Sequence, residues 1–186
     1  DWKIEHVAFS AGSPSMALCA PAQPCICYRD TVDNDLWFAE RRNGVWIREQ
    51  VHADAHDTGR NCHIALDNDG APLIAHTDLT ASTLQVHKRF SEQWVDVLPG
   101  GIVQQAGVWP TISFEPSGEL VVTHARIGRV ETSGSDTGAL QLRRNTSGVW
   151  YVVPLSGAQV GGHPASVVGS AQEGTLVALR RAHNDQ

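Results

Sequence analysis

Apolar and polar residues alternate along much of this chain in short segments of four to six residues. Examples are residues 36–41 (LWFAER), 84–89 (LQVHKR) and 140–144 (LQLRR). An alternation with a period of two predicts β-strands with one buried face. Turn-forming pairs such as Asn43-Gly44 separate these segments and are typical of tight hairpins. No 3.6-residue period persists, so we expect almost no helix.

Tryptophan residues mark an internal repeat. Trp46, Trp94 and Trp150 each lie between two predicted strands, and Trp2 opens the chain, at intervals of 44, 48 and 56 residues. Each interval contains the same four short strands, named a to d here. In the second repeat these strands are residues 63–66, 73–76, 84–89 and 95–98.

Four short antiparallel strands that recur at this spacing are typical of a β-propeller blade. We therefore predict an all-β propeller, as a single domain or a propeller fragment, with about three and a half to four blades. The predicted blade units are residues 8–51, 52–98, 99–155, and 156–186 together with 1–7. A β-sandwich is the rival fold, but it would not require the tryptophans, turns and hairpins to recur in phase.

The two chain ends leave the closure of the ring open. A predicted d strand covers residues 3–7, and the last predicted strand, a b strand, covers residues 176–179. The N-terminal strand could complete the last blade, which would then lack strand c. The alternatives are a closed four-blade ring, a larger ring of two chains, and one piece of a longer propeller. Because an unfilled c position leaves backbone groups unpaired, we expect a second chain or copy to complete the propeller.

Three segments carry a resemblance to a known family. They are HIALDNDGAPLIAHTD (63–78), TISFEPSGELVVTHAR (111–126) and LWFAERRNGVW (36–46). These segments resemble the repeats of sialidase-like propellers, also called bacterial neuraminidase repeats. The resemblance implies a propeller fold, and its relatives include sialidases, polysaccharide lyases and extracellular sugar-binding proteins. The turns before Trp46 and Trp150 lack the aspartate of the sialidase Asp-box, Ser-x-Asp-x-Gly-x-x-Trp.

Composition narrows the class of protein. The formal net charge of −6 argues against a general nucleic-acid binder. No run of about 18 apolar residues is present, so we expect no membrane span. The even number of cysteines favours a secreted or periplasmic protein. A disulfide between Cys19 and Cys25 would close the first hairpin, whereas Cys27 and Cys62 could bridge adjacent blades or remain buried thiols.

One face of a propeller receives the ends of the b strands and the starts of the a strands. Tyr28, His76 and His124 occupy equivalent positions at the ends of b strands. Imidazole titrates near neutral pH, so these side chains could transfer protons in an enzyme acting on an anionic sugar. Arg29 and Arg126 follow two of them and could bind a carboxylate through two hydrogen bonds. The alternative is that the two histidines only fill the space between blades.

The same face provides the predicted ligand-binding residues. Trp109 lies outside the phase of the other tryptophans, directly before strand a of the third repeat, where an indole could stack on a sugar. The other members are polar residues near the same strand ends: Asp30, Arg60, Asn61, Asp78, His163 and Arg180.

A possible metal site lies in the loop before strand a of the second repeat. His52, Asp54 and His56 form the pattern H-x-D-x-H, which in an extended segment places all three side chains on one side. Two imidazoles and a carboxylate suit zinc or another divalent transition metal. The alternative is that they are solvated loop residues.

These observations lead to one leading functional hypothesis and two alternatives. The leading hypothesis is an extracellular propeller that binds a glycan or another polar ligand at the face rich in His, Arg and Asp. The first alternative is a carbohydrate-active enzyme, either a polysaccharide lyase or a glycosidase. The second is an assembly module that a strand from a partner completes by β-augmentation.

Overall fold

The structure, a computed structural model, describes residues 3–21, 23–53, 55–98, 106–128, 137–146, 148–159, 164–170 and 174–179. Side chains are described for residues 3–21, 23–53, 55–98, 109–124, 145 and 148–151. All regular structure in these ranges is β-strand, as predicted. The described ranges therefore hold no helix long and apolar enough to cross a membrane.

The strands form four antiparallel sheets, which we call blades 1 to 4. Blade 1 contains β1 (Ala11–Ala20), β2 (Gln23–Asp30), β3 (Leu36–Arg42) and β4 (Val45–His52). Blade 2 contains β5 (Arg60–Leu66), β6 (Pro72–Asp78), β7 (Thr83–Phe90) and β8 (Gln93–Asp96). Blade 3 contains β9 (Ala106–Phe114), β10 (Leu120–Gly128), β11 (Thr137–Thr146) and β12 (Val149–Gln159). Blade 4 contains β13 (Pro164–Ser170) and β14 (Gly174–Leu179).

The blades have the meander topology expected of a propeller. In blades 1 to 3 each strand pairs with the next along the chain, so the a–b–c–d order is confirmed. The first strands of successive blades pack against each other, with β1 against β5, β5 against β9, and β9 against β13. These four strands are therefore the inner strands, and the fold is a β-propeller arrangement.

Local turn chemistry explains the hairpins between c and d strands. In blade 1, Asn43 and Gly44 both have left-handed backbone conformations, with φ of 50° and 83°. This is the backbone of a two-residue turn that matches the twist of paired strands, and asparagine and glycine adopt it most easily. The turn places Trp46 at the start of β4, facing Arg41 across the hairpin.

Two equivalent apolar cores hold successive blades together. The core between blades 1 and 2 comprises Cys25, Cys27, Leu36, Phe38, Val51, Cys62, Ile64 and Ile74. The core between blades 2 and 3 comprises Leu73, Ala75, Leu84, Val86, Leu98, Ile112, Leu120 and Val122. Trp94 packs against the first core and Trp150 against the second, so these two periodic tryptophans are packing residues between blades. Burial of apolar surface, at roughly 25 cal/mol per Å², is the main stabilising term at such contacts.

Hydrogen bonds between inner strands also repeat. The Ile64 N–H donates to Ser15 Oγ at 3.3 Å, and the Ile112 N–H donates to His63 Nδ1 at 3.3 Å. Ser15 and His63 occupy the same position in their repeats, 48 residues apart. Burial lowers the pKa of His63, which favours the neutral ring that accepts this bond.

The predicted N-terminal d strand is wrong for the described structure. Residues 3–8 are not in a strand, although they lie against blade 1 through an ion pair between Glu5 and Arg41. A strand requires a hydrogen-bonded neighbour, and the neighbour expected here is strand c of a preceding blade. The described residues include no such strand beside this segment.

Two of the four cysteines form the disulfide predicted across the first hairpin, and the other two are free thiols. Cys19 and Cys25 form a disulfide across the β1–β2 turn, with Cα atoms 5.7 Å apart. Cys27 and Cys62 are buried free thiols on adjacent blades. Burial raises the pKa of Cys27, and its interaction with Cys62 raises it further, so the Cys27 thiol stays protonated as a small core residue.

Candidate functional site

Three inner strands share an unusual backbone conformation within their first four residues. Ser13, Asn61 and Trp109 have φ of 51°, 52° and 49°, and they are spaced by 48 residues. A left-handed backbone costs an L-residue roughly 1–2 kcal/mol, and glycine adopts it most readily. Three equivalent non-glycine residues in this conformation point to a use for their side chains.

The strand registers show why the backbone turns at these positions. In each inner strand two residues oppose one residue of the neighbouring strand, which defines a β-bulge. The residues opposite the three bulges are Tyr28, His76 and His124, the set that the sequence placed at equivalent positions. A bulge bends its strand and changes the direction of its side chains. In each of blades 1 to 3, the bulge therefore turns one residue of the inner strand toward the equivalent residues of the other two blades.

The bulges line a shared cleft of about 230 Å³, with walls formed by Ser13, Pro14, Asn61, Cys62, Trp109, Pro110 and Thr111. The cleft lies where the inner strands of blades 1, 2 and 3 begin. The cleft is shallow and open to solvent, and its lining combines an amide, hydroxyl groups and an indole, which can bond and pack against a polar ligand. Asn61 and Trp109, two predicted ligand-binding residues, are brought together here.

Substitution of Asn61 tests whether its backbone conformation is imposed by the fold. We expect Asn61→Gly to leave the free energy of unfolding within about 1 kcal/mol of wild type, because glycine accepts positive φ. We expect Asn61→Val to lower it by about 2 kcal/mol, because a β-branched residue is strained there. Urea unfolding of both variants measures the difference. Equal stability of the two variants would contradict the left-handed assignment.

The three residues opposite the bulges are fully buried. Tyr28, His76 and His124 each have 1% exposure or less, so the protein covers the side chains that the sequence proposed as proton-transfer groups. The Tyr28 hydroxyl accepts a hydrogen bond from Arg48 Nε at 2.5 Å. Burial raises the pKa of Tyr28, and Arg48 partly opposes that shift. Tyr28 is therefore a neutral acceptor bound to a cation.

Three imidazoles meet between blades 1 and 2. The side chains of His52, His76 and His87 offer nitrogen atoms within 4.8 Å of one another, and His76 Nε2 lies 3.3 Å from His87 Nδ1. Burial lowers the pKa of His76 well below 6.5, and the neighbouring imidazoles lower it further. Burial and His52 lower the pKa of His87 to about 4. The two buried rings are therefore neutral near pH 7.

A hydrogen bond from Gly59 decides which nitrogen of His76 carries the proton. The Gly59 N–H donates to His76 Nδ1 at 3.1 Å, so Nδ1 holds a lone pair and the proton of the neutral ring lies on Nε2. The Nε2–H then donates to His87 Nδ1. The result is a chain of hydrogen bonds from the backbone through two buried rings.

This tautomer bears on metal binding by the histidine cluster. In a tetrahedral zinc site with Zn–N bonds of about 2.0–2.1 Å, the nitrogens lie about 3.3 Å apart, so the His76–His87 distance alone fits either arrangement. Zinc requires a lone pair on the ligating nitrogen, whereas the Gly59 bond leaves His76 Nε2 protonated. The geometry therefore favours a hydrogen-bonded cluster over a metal centre.

The residues of the predicted H-x-D-x-H metal site contact different partners. His52 packs against His76 and His87, with ring centroids 5.8 and 5.0 Å apart. His56 Nδ1 lies 2.9 Å from Asp78 Oδ2. Asp54 lies outside the described residues. The structure thus does not bring His52 and His56 to one point, and the metal site stays a prediction.

Arg29 and Arg60 share one carboxylate. Arg29 Nε lies 2.7 Å from Asp57 Oδ1, and the same guanidinium also donates to the Asn34 side chain. Arg60 lies 3.3 Å from the other oxygen of Asp57. Arg29 is largely buried, so its charge ties the end of β2 to the loop before β5. A ligand carboxylate would have to compete with Asp57 for either arginine.

Two further predicted ligand-binding residues also have internal partners. Asp78 is buried, and its Oδ1 accepts the Ala81 N–H at 2.8 Å, which holds the β6–β7 turn. Asp30 accepts the Val32 N–H at 2.9 Å and lies 3.3 Å from Arg48. Each carboxylate therefore stabilises the turn that follows its own strand.

Three further predicted site residues have no described side chain. His163 and Arg180 lie outside the described residues, and Arg126 lies in β10 with its side chain outside the described set. Two residues that the structure places at the cleft or in the histidine cluster, Ser13 and His87, were not among the predicted site residues. Ser13 could have been found from its 48-residue spacing to Asn61 and Trp109, whereas no sequence signal placed His87, a strand c residue, beside His76.

Comparison with known proteins supports the fold. No known family model and no curated protein sequence matches this chain. Among solved structures, a Hadza microbial sialidase shares 10% identity and a TM-score of 0.66 over 94% of this chain and 43% of its own. The Aleuria aurantia lectin, in complex with Fucalpha1-6GlcNAc, shares 9% identity and a TM-score of 0.59 over 96% of this chain and 66% of its own.

A third solved structure is comparable in length. A fucose lectin from Kordia zhangzhouensis, in complex with methyl-fucoside, shares 13% identity and a TM-score of 0.50 over 75% of this chain and 96% of its own. This chain thus spans less than half of the sialidase and about two thirds of the Aleuria lectin. At these identities the likeness establishes the propeller fold alone. It agrees with the sialidase-like resemblance in fold.

Proposed function

We propose that this chain binds a glycan in the cleft where the inner strands of blades 1 to 3 begin. The observation that carries the proposal is the convergence of Ser13, Asn61 and Trp109, held by equivalent left-handed bulges, on one shallow cleft. A sugar presents hydroxyl groups and an apolar ring face. The Ser13 hydroxyl and the Asn61 amide can bond the hydroxyls, and the Trp109 indole can pack against the ring face.

The comparisons support this class of ligand. Two of the solved structures with the same fold are described as lectins bound to a fucose-containing ligand, and a third as a sialidase. Each is a protein that acts on or binds sugars. Fold alone does not decide function, so the argument depends on the groups in the cleft.

Charge near the cleft favours a neutral glycan over a carboxylated one. Arg29 and Arg60 both pair with Asp57, and the whole chain carries a formal net charge of −6. A sialic acid or uronate would have to displace Asp57 from an arginine in a negatively charged protein. We therefore expect neutral sugars to bind more tightly than acidic ones.

Binding is better supported than catalysis. An enzyme would need accessible proton-transfer groups beside the ligand, whereas Tyr28, His76 and His124 are buried behind the bulges. Catalysis through these residues with Arg29 and Arg126 stays a prediction. The Cys19–Cys25 disulfide supports the proposal that the protein works in an oxidising compartment, as a secreted or periplasmic protein.

Completion of the propeller by a partner is a second candidate function. Blade 4 has two described strands where blades 1 to 3 have four. A partner strand that paired with the edge of this blade would satisfy the backbone groups that an open edge leaves unpaired.

Replacement of Trp109 tests the glycan proposal. We expect Trp109→Ala to weaken binding of the best neutral glycan in a panel by about thirtyfold, about 2 kcal/mol, as for a central aromatic contact. Isothermal titration of wild type and variant measures the effect. Trp37→Ala is the matched control, because Trp37 lies on strand c of blade 1 and bonds Asp33 away from the cleft.

The two variants separate loss of the site from loss of the fold. Unchanged affinity in Trp109→Ala, or equal weakening in both variants, would remove the cleft as the site. Absence of binding to every neutral and acidic glycan tested with wild type would overturn the proposed function.

A further inference from the structure

Two free cysteines meet at the interface between blades 1 and 2. Cys27 lies on β2 and Cys62 lies on β5, and both belong to the first apolar core. Strand β5 packs against both β1 and β2. The Cys62 side chain contributes to the raised pKa of Cys27, so the two thiols are close enough to interact. The interface therefore contains a buried pair of thiols.

Both thiols lie against the same part of strand β1. The Cys62 thiol donates a hydrogen bond to the Ser13 carbonyl oxygen, with 3.2 Å between sulfur and oxygen. Cys27 pairs with Ser15 in the β1–β2 ladder, and its thiol interacts with the Ser15 backbone. Ser15 Oγ also accepts the N–H of Ile64, two residues after Cys62. These contacts hold the two sulfur atoms where blades 1 and 2 meet.

The next interface carries no cysteine at the equivalent positions. Cys27 corresponds to Ala75 and Cys62 corresponds to Pro110, each 48 residues further along the chain. Ala75 and Pro110 are both buried. The interface between blades 2 and 3 thus packs with alanine and proline at these positions, so packing alone requires a thiol at neither of them. Cysteine occupies both positions together in the first interface, as a pair that reacts together would require.

The two thiols differ in their access to solvent. Cys62 is 5% exposed and is one of the residues that line the cleft of about 230 Å³. Cys27 has no exposed surface. A small reagent can therefore approach Cys62 through the cleft, whereas protein covers Cys27. In thiol–disulfide exchange the accessible thiol attacks first, and its neighbour then displaces the reagent.

We propose that Cys27 and Cys62 are an oxidisable pair, which forms a disulfide between blades 1 and 2 when a small disulfide enters the cleft. The Cys62 thiolate attacks one sulfur of the small disulfide, forms a mixed disulfide and releases a first thiolate. The Cys27 thiolate then attacks Cys62 Sγ, forms the bond between the blades and releases a second thiolate. The pair loses two electrons and two protons, and the small disulfide becomes two thiols.

The second of these steps should be the slower one. The thiolate is the attacking form of cysteine, and the raised pKa of Cys27 makes its thiolate rare near neutral pH. The product would close a loop over residues 27–62 and remove the S–H that Cys62 donates to Ser13. The proposal concerns the two thiols, so it does not depend on what the cleft binds.

Oxidation of the folded full chain by bis(2-hydroxyethyl) disulfide, a small neutral disulfide, tests the proposal. We start from protein in which Cys27 and Cys62 are reduced, and we bring the reaction to equilibrium at about pH 9 to favour the thiolate. Wild type should lose two hydrogen atoms, about 2 Da in the intact mass. Tandem mass spectrometry of a non-reduced digest should find Cys27 linked to Cys62 and Cys19 linked to Cys25.

Two single variants test the order of attack. Cys27→Ala should stop at the mixed disulfide on Cys62, which adds about 76 Da to the intact mass. Cys62→Ala is the matched control, because the remaining thiol is fully buried, and its adduct should form at least about tenfold more slowly. Equal rates of adduct formation in the two variants would contradict the assigned order. Circular dichroism verifies that both variants are folded, and if either is not, the wild-type digest decides by itself.

Three results with wild type would overturn the proposal. The first is that both thiols persist at equilibrium with excess reagent. The second is that the reaction ends at the adduct, which would show that Cys27 cannot reach Cys62. The third is that the linkage forms in urea and not in the folded chain, or joins either thiol to Cys19 or Cys25. Glycan titration reports on the cleft separately, so failure of either proposal is recognised by itself.

Discussion

Replacement of Gly59 with alanine should lower the free energy of unfolding by about 3 kcal/mol. Gly59 has φ of +76°, and an added Cβ would lie 2.9 Å from Leu36 Cα and 3.2 Å from Leu36 N. The left-handed backbone costs alanine roughly 1–2 kcal/mol, and overpacking against a fixed backbone costs about 1–3 kcal/mol. The same residue donates its N–H to His76, so movement to relieve the clash would also weaken that bond.

Gly70→Ala is the matched control for this effect. Gly70 has nearly the same backbone conformation, with φ of +80°, but an added Cβ meets no atom within 4 Å. Its cost should be about 1 kcal/mol, from the backbone alone. Because both changes restrict the unfolded chain equally, urea unfolding of the pair isolates the contact with Leu36. Equal losses in the two variants would show that Gly59 is not closely packed.

Acidification from pH 7 to pH 5 should lower the free energy of unfolding by about 4 kcal/mol through His76 and His87. Both have pKa values in the folded protein below the ordinary 6.5, with His87 at about 4, so the folded state binds fewer protons than the unfolded state in this range. Stability is therefore fully present above pH 6.5 and falls as the pH drops toward the folded pKa. Each histidine contributes about 2 kcal/mol by pH 5.

The proton count is measured by urea unfolding at pH 7, 6 and 5. The slope of the free energy of unfolding against pH gives the number of protons that the chain takes up on unfolding. His87→Gln should lower this number by about one, even where the substitution also lowers the free energy of unfolding at pH 7. His6→Gln serves as the control variant, because the His6 side chain is exposed and lies outside the buried cluster. Glu5 contributes little here because its unfolded pKa of 4.5 lies below the range. A stability that is constant between pH 7 and 5 would show that the imidazoles are not buried as a neutral cluster.

The periodic part of the structure could be predicted from the sequence because strands and turns are local. The alternation in residues 84–89 identifies strand c of blade 2, and the 48-residue spacing aligns it with residues 36–41. The same spacing correctly assigned Trp94 and Trp150 to the contacts between blades. These features depend on side-chain period and turn chemistry, which a single sequence contains.

Contacts between blades were harder to predict. The segment 3–7 alternates like a strand, but a strand also needs a paired neighbour, and alternation carries no information about that neighbour. His87 was assigned correctly to strand c, yet its place beside His52 and His76 depends on how two blades pack. The loop histidines His52 and His56 looked like one ligand set because they are close in sequence, whereas they contact different partners.

The candidate site was predicted in part for the same reason. Equivalent repeat positions led to Asn61 and Trp109, which do line the cleft. The bulges themselves could not be predicted, because a left-handed serine or tryptophan has no distinctive sequence signal. An inner strand without bulges would leave the ends of the b strands accessible, and the sequence analysis therefore treated Tyr28, His76 and His124 as accessible. In the structure the extra residues of the inner strands lie opposite these three side chains, and all three are buried.

A crystal structure of the chain with its tightest-binding neutral glycan tests the central claim most directly. We predict that a sugar ring packs on Trp109, that its hydroxyls bond the Ser13 and Asn61 side chains, and that all three residues keep positive φ. A glycan bound elsewhere on the blades, with the cleft unoccupied, would contradict this account of the site.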